Sequence, residues 1–484
     1  MPYKLLIFFA FLGSLLTAAL KPSSMFGDHM VLQRDMPVPV WGTAEPGEQV
    51  KVSFADQSVI CTANKDGKWR ADLKALKASD KGRQLIIEGS TKITFKDVLV
   101  GEVWICSGQY NMAMGWNKVK ELQAIKSDAL KKPIRTFNVP TFVSFTPQEN
   151  SKGSWTTKLP SSAVAFGFSY YLNKQLDVPV AVILTSWGSS SIEGWMPLDL
   201  TEKLPHYKKI MADFEKNDKA KVAALIERGI KSGKGAKAWQ RKENIYIRTR
   251  PNILYNAMLH PIIPFACRGM VWYQGEANSK LYKDYAKSLP IWVKRLRSAW
   301  KKDDFHFMAV MLPGFGRDNG RPDAKSWAWF RDVQMQIHKL PHTAVANTID
   351  LGSERNIHPI DKGPIGVRLA LLASAEIHKK DFVPKGPLYK SFKVNGSKMT
   401  ISFDYATGLK TKDSKSPSGF WLADKKGSWH KAKATIKGSS IILESEAIET
   451  PVACRYAFSG KPSVNLVNGA NLPAYPFRTD NWER

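Results

Sequence analysis

Four short apolar runs, separated by stretches of helical character, set the fold class of this chain. Val98 to Ile105 is almost unbroken by polar side chains, and Val178 to Leu184, Met270 to Tyr273 and Phe307 to Leu312 repeat the pattern. A strand that is apolar on both faces has to be covered on both faces, which is the situation of a parallel sheet flanked by helices. Segments 163–176, Leu281 to Trp300 and Gly366 to Ile377 supply helical patterns between or after these runs. Strands alternating with helices predict a doubly wound α/β unit, which we place at residues 98–384.

The flanks read differently. Residues 20–97 alternate apolar and polar positions, as at Val50, Val52 and Phe54, with Gly42, Pro46, Gly47 and Gly67 as turn residues. Leu85, Ile86 and Ile87 form a further short run, and together these predict an N-terminal β-domain. Residues 385–484 return to short strands, including Met399, Ile401 and Phe403 and then Ile441 to Leu443, and predict a C-terminal β-sandwich. Within the α/β unit, residues 199–250 break the rhythm with charged helical sequence ending in a basic stretch from Lys231 to Arg250. This is an insertion, and its basic run has the composition of a solvated face.

Compartment and partners follow from the ends and the charge. A lysine at position 4, an apolar run from Leu5 to Leu16 and small residues at Thr17, Ala18 and Ala19 have the layout of a cleaved export signal over residues 1–19. The run is shorter than the roughly 20 residues a membrane span needs. No later stretch is apolar enough to span, so a periplasmic or extracellular protein without a membrane anchor is expected. Cys61, Cys106, Cys267 and Cys454 are scattered without a C-x-x-C pair, which argues against a zinc knuckle and leaves both disulfides and free thiols open. The formal charge is +28. It suits an acidic partner or a merely solubilising surface. No nucleic-acid-binding signature accompanies it, so an acidic glycan ranks above nucleic acid.

Ligands of open α/β sheets bind outside the C-terminal ends of the strands. Four segments meet that condition: 106–112, 185–195, 273–278 and the loop around His358. The turn Ser107-Gly108-Gln109-Tyr110-Asn111-Met112 exposes one side chain and offers backbone N–H groups to an oxyanion. Gly188 offers an N–H at close range, and Gln274 a side-chain amide. Trp116, Trp187, Trp195 and Trp272 lie in or near these loops, with faces that suit sugar stacking and core packing equally. His338 and His342 have metal-pair spacing, but Pro341 breaks the helix it would need. No cofactor or metal site is expected.

In this order and spacing, the four blocks resemble the sialate O-acetylesterase family of the SGNH-hydrolase class. So do Met25-Phe26-Gly27-Asp28-His29-Met30-Val31-Leu32-Gln33-Arg34, Gly101-Glu102-Val103-Trp104, Trp272-Tyr273-Gln274-Gly275-Glu276 and Pro476-Phe477-Arg478-Thr479-Asp480. The resemblance spans nearly the whole chain beyond residue 19. It implies a flavodoxin-like three-layer sheet between two β-domains, and removal of O-acetyl groups from glycans. It also implies a serine nucleophile, an activating histidine and an orienting acid. Those positions fall on Tyr110, His358 and Asn356, with an oxyanion hole at Gly188, Gln274 and the N–H of residue 110. Gln109, Asn111, Trp187 and Glu276 are the expected substrate contacts, Glu276 having the alternative role of a structural hydrogen-bond partner.

Two of the three implied triad positions are therefore altered. A phenol, with a pKa of about 10, is more acidic than an alkanol. Its oxygen nevertheless stands several ångströms further from the backbone, so Tyr110 is expected to fill the acetyl pocket. Asparagine in place of the acid removes the charge that stabilises an imidazolium; in serine proteases the same change lowers turnover about 10⁴-fold. Ser107 is an alternative nucleophile and Asp350 or Asp361 an alternative acid. Ser189 to Ser191 read as turn residues. Two outcomes follow: an esterase, or a catalytically impaired protein that holds acidic or acetylated glycan without cleaving it.

Overall fold

One long strand, β1 (Lys92–Gly108), ties the N-terminal region to the centre of the molecule. The computed structural model describes residues 19–318, 320–323 and 327–482; the expected export signal, except Ala19, lies outside them. The first half of β1 pairs with N-terminal strands. Val31–Gln33 runs parallel beside Leu99 to Gly101, and Ser79–Glu88 runs antiparallel beside Lys92 to Val100. The second half forms the middle of a parallel sheet with β2 (Ile134–Asn138), β3 (Val180–Ser186), β4 (Gly269–Tyr273), β5 (His306–Val310) and β6 (Thr343–Ala346). The spatial order is β2-β3-β1-β4-β5-β6, and Ser154–Thr156 adds an antiparallel edge on β2. Residues on both sides of position 98 thus share one strand and one hydrophobic core.

The sheet holds two strands beyond the four apolar runs. Ile134–Asn138 carries Arg135 and Thr136, and Thr343–Ala346 is short and built from small residues, so neither shows a long apolar signature. The expected run Phe307 to Leu312 is strand only as far as Val310, and Met311 and Leu312 continue buried into the loop. Helix Ala163–Leu176 is capped by the Ser162 side chain, which accepts from the Ala165 N–H at 3.1 Å. It packs against Gly363–Leu372, while Tyr282–Trp300 packs against Ala328–Met335. The insertion folds as four helices from Leu198–Thr201 to Arg241–Arg248, plus shorter turns. It buries Phe214, Val222, Leu225, Trp239 and Ile247 in the main core. Toward the C-terminus, two four-stranded sheets share a separate buried cluster that includes Met399, Ile401, Leu422, Ile441 and Tyr456. All four cysteines are free thiols. Among the described residues no helix is long and apolar enough to cross a membrane.

A buried charge cluster locks the middle of β1. Glu102 is fully buried. Its Oε1 accepts from Arg34 Nε at 2.8 Å and Arg268 Nη2 at 2.9 Å, and His378 Nε2 lies 3.3 Å from Oε2. The partners come from the residue just after the strand Val31–Gln33, from the turn entering β4 and from the segment after Gly363–Leu372. Burial by itself would raise the carboxyl pKa, but His378 and Arg268 outweigh it and hold Glu102 well below the usual carboxylate range. Its contribution to stability is therefore present above the unfolded carboxylate value of about 4.3 and fades as the pH falls below it. Glu102→Gln strands two arginines, and urea denaturation at pH 7 should show a loss of about 3–5 kcal/mol. The variant should also lose the part of the acid sensitivity that Glu102 supplies.

Candidate active site

The chain leaves β1 through Gly108, whose φ of 140° and tight seat mark a sharp turn: a Cβ there would lie 2.1 Å from the Tyr273 carbonyl oxygen. Gln109 N–H donates to that carbonyl at 3.0 Å, and a one-turn helix, Tyr110–Ala113, begins. Tyr110 is 46% exposed, while its neighbours Gln109 and Asn111 point inward.

Those two inward side chains hold the surrounding loops together. Gln109 Oε1 accepts from Gln274 Nε2 at 3.3 Å and from the Gly275 and Ala277 N–H groups at 3.4 Å. Asn111 Nδ2 donates to Glu276 Oε1 and, at 3.1 Å, to the Ile357 carbonyl beside His358. Lys362 Nζ completes the cluster by donating to Asn111 Oδ1 at 2.8 Å, with its charge 5.4 Å from the Tyr273 ring centre. The turn after β1, the turn after β4 and the His358 loop thus meet at one buried asparagine.

Burial dominates the electrostatics here. It pushes the Glu276 carboxyl up to about 7, against the opposing hydrogen bond from Asn111 and the charge of Lys362. Among the described residues Glu276 Oε2 has no hydrogen-bond partner. Burial also holds Lys362 down to about 8, with Glu276 and Asp361 opposing. His358, half-buried, sits below the ordinary imidazole value because of desolvation and then the charge of Lys362. Its ring faces Tyr110, with centroids 4.4 Å apart at 52°.

On the other side of Tyr110 lies Gly188, where a Cβ would stand 3.1 Å from Tyr110 Cβ and Cδ2 and 3.4 Å from Arg248 Nη1. The phenol ring is therefore packed between Gly188 and His358. Gln274 is fully buried, and its amide nitrogen is surrounded by Gln109 Oε1, the Ser190 carbonyl and Asn278 Oδ1 at 3.3, 3.1 and 2.8 Å. Those acceptors direct its donors into the interior. Trp187 is buried and stacked on Trp239, at 6.1 Å and 14°. The residues expected to contact substrate, Gln109, Asn111, Trp187 and Glu276, are all buried.

Asn356 does not reach the His358 ring. It is exposed, and its Oδ1 accepts from the backbone N–H of His358 at 2.9 Å, a local side-chain turn. Among the described residues none of the alternative groups hydrogen-bonds to the His358 ring. Asp350 is held by Arg368 through two bonds of 2.7 and 2.8 Å. Asp361 is exposed, and the helix it precedes has no side-chain cap. Ser107 is fully buried. Ser190 Oγ donates to the Trp187 carbonyl at 2.8 Å, as a turn residue would.

Comparison with known proteins places this geometry. The family model for carbohydrate esterases, sialic acid-specific acetylesterase, matches residues 229–370. Mouse sialate O-acetylesterase is 26% identical, over 94% of this chain and 93% of its own length. The human sialate O-acetylesterase is 25% identical, over 94% and 91%. A carbohydrate acetylesterase from Xanthomonas citri, known from its crystal structure, is 30% identical over 96% of this chain and all of its own, with a TM-score of 0.78. The chain belongs to the sialate O-acetylesterase family. Two residues of the family member's cleft, Lys362 and Arg248, carry no signal in the sequence. One is a lysine in a stretch of ordinary composition, and the other lies inside the basic run of the insertion.

The Glu276–Lys362 pair yields a direct test. A ¹³C-carboxyl NMR titration should find Glu276 ionising near pH 7, and Lys362→Met should move that midpoint upward by removing the favourable charge. Because the folded value is raised, the stabilising effect of the neutral carboxyl is complete below the unfolded value and is lost as the pH climbs through about 7.

Proposed function

We propose that this protein recognises O-acetylated glycan in the Tyr110 cleft and is impaired in serine-type ester hydrolysis. The observation that carries this reading is the seat of the Tyr110 ring between Gly188 and His358. If Tyr110 stands where relatives carry the serine, its ring occupies the space next to the base, where an acyl group would have to enter. The position of Asn356, bonded to the His358 backbone rather than to its ring, supports the same conclusion. Acyl transfer needs a nucleophile within reach of a base, and a base held in orientation by a third group. Tyr110 and Asn356 provide neither arrangement in this cleft.

The cleft retains what recognition requires. The Gln109 and Asn111 bonds fix three loops, Gly188 keeps its close approach, and the overall charge of +28 favours an acidic ligand. We read the architecture as an SGNH-hydrolase sheet at 98–384, flanked by β-domains at 20–97 and 385–484, in an exported protein. A second reading is favoured by one observation. His358 is half-buried, and desolvation and then the charge of Lys362 favour its neutral form, which can act as a base toward water without a covalent intermediate.

Acetate release from O-acetylated sialic acid and from acetylated xylan separates these readings. The native chain should stay at background. Tyr110→Ser should restore turnover, and the double variant Tyr110→Ser, Asn356→Asp should add little, because a side chain of the same length stays on the His358 backbone N–H. Native turnover equal to that of the serine variant would sink the proposal, and turnover without a burst of enzyme-bound acetate would select the water mechanism.

A further inference from the structure

The last helix of the insertion, Arg241–Arg248, ends against the Gly188 loop. Arg248 Nε donates to the Asn244 carbonyl at 2.7 Å, and Nη1 donates to the Gly188 carbonyl at 2.5 Å. These two bonds fix the plane of the guanidinium. The glycine they anchor is the one against which Tyr110 packs, so guanidinium, glycine and phenol converge within van der Waals distance of one point.

What surrounds Arg248 is neutral. Its donors meet carbonyl oxygens, and its charge lies 5.6 Å from the Trp187 ring centre. Among the described residues no carboxylate pairs with it. Two other arginines of the insertion do have such partners: Arg228 pairs with Glu243, and Arg250 with Asp218. A half-buried cation without a counter-charge is costly unless an anion arrives. The cost registers in Arg248, which burial alone holds down to about 10. Two of its five N–H groups are engaged within the protein, so Nη2 retains its donors for a ligand.

We propose that Arg248 binds the carboxylate of an acidic sugar entering the Tyr110 cleft. The planar fork of a guanidinium matches a carboxylate better than it matches a hydroxyl or an ester, and the interaction is strongest where water is partly excluded. This deepens the glycan-binding reading above and rests on it: the insertion supplies the charge that selects acidic sugars, and the sheet loops supply the pocket. The carboxylate can belong to a sialic acid or to a uronic acid, since both present the same planar anion on a sugar ring.

Calorimetric titration of the full chain distinguishes them. The probes are the methyl glycoside of N-acetylneuraminic acid, glucuronic acid, and the methyl ester of each. At least one acid should bind about tenfold more tightly than its ester, the equivalent of one charge-assisted hydrogen bond. Whichever acid shows that preference names the source. Arg248→Gln should abolish the preference while leaving ester binding in place, and Arg248→Lys, which keeps the charge but loses the fork, should retain part of it. The wild-type comparison of acid with ester needs no variant, so misfolding of Arg248→Gln would not shelter the idea. Equal binding of acid and ester, or a preference that survives in Arg248→Gln, overturns the role of Arg248 and leaves the glycan reading intact. Failure of every sugar to bind, together with no acetate release by the serine variants, overturns both.

Discussion

A single buried carboxylate organises this molecule. Glu102 sits at the midpoint of the strand that leads to the Tyr110 turn, and it gathers Arg34, Arg268 and His378 from three distant stretches of chain. A charge in that position is tolerable only while all its partners are in place, so the cluster couples the entry to β4 and the segment after the Gly363–Leu372 helix to one strand. Six residues further along, the same strand ends at Gly108. The positions of Tyr110, of the turn after β4 and of the His358 loop are therefore consequences of how β1 is anchored.

The cleft is supported from beneath rather than from its surface. Gln109 and Asn111 flank Tyr110 in sequence but point the opposite way, and between them their side chains bond to the backbone or side chains of six residues on other loops. This division follows from a one-turn helix that begins on a glycine turn: successive side chains diverge, and only one faces out. The insertion contributes from above through Arg248, whose bond to the Gly188 carbonyl joins it to the loop after β3.

Much of this was legible in the sequence, and the failures have physical causes. The runs at Val98, Val178 and Met270 announced buried strands because an all-apolar strand has few other places to go. Ile134–Asn138 and Thr343–Ala346 escaped notice because strand pairing needs only backbone, and their side chains carry little hydrophobic signal. The four site loops could be located from strand ends and from family resemblance, but not the direction each side chain takes. Gln109, Asn111 and Glu276 stand in motif loops, where a polar residue reads as a ligand contact or as a structural partner alike, and only the structure shows all three buried and bonded across loops. Asn356 stood at the right spacing from His358, yet its short side chain closes on the nearer backbone N–H instead of the ring. Arg248 was invisible because a basic run does not reveal which of its members lacks a carboxylate.

The exposure of Tyr110 has an evolutionary corollary. Its hydroxyl makes no hydrogen bond among the described residues, and nearly half its surface meets solvent, while the side-chain hydrogen bonds that tie the turn to other loops belong to Gln109 and Asn111. If this is the position at which relatives keep their nucleophile, folding places almost no selection on it. A lineage that no longer needs the reaction can exchange the residue freely, and the scaffold around it survives as a preformed receptor. Catalysis and architecture can then drift apart one codon at a time, with no unstable intermediate along the way.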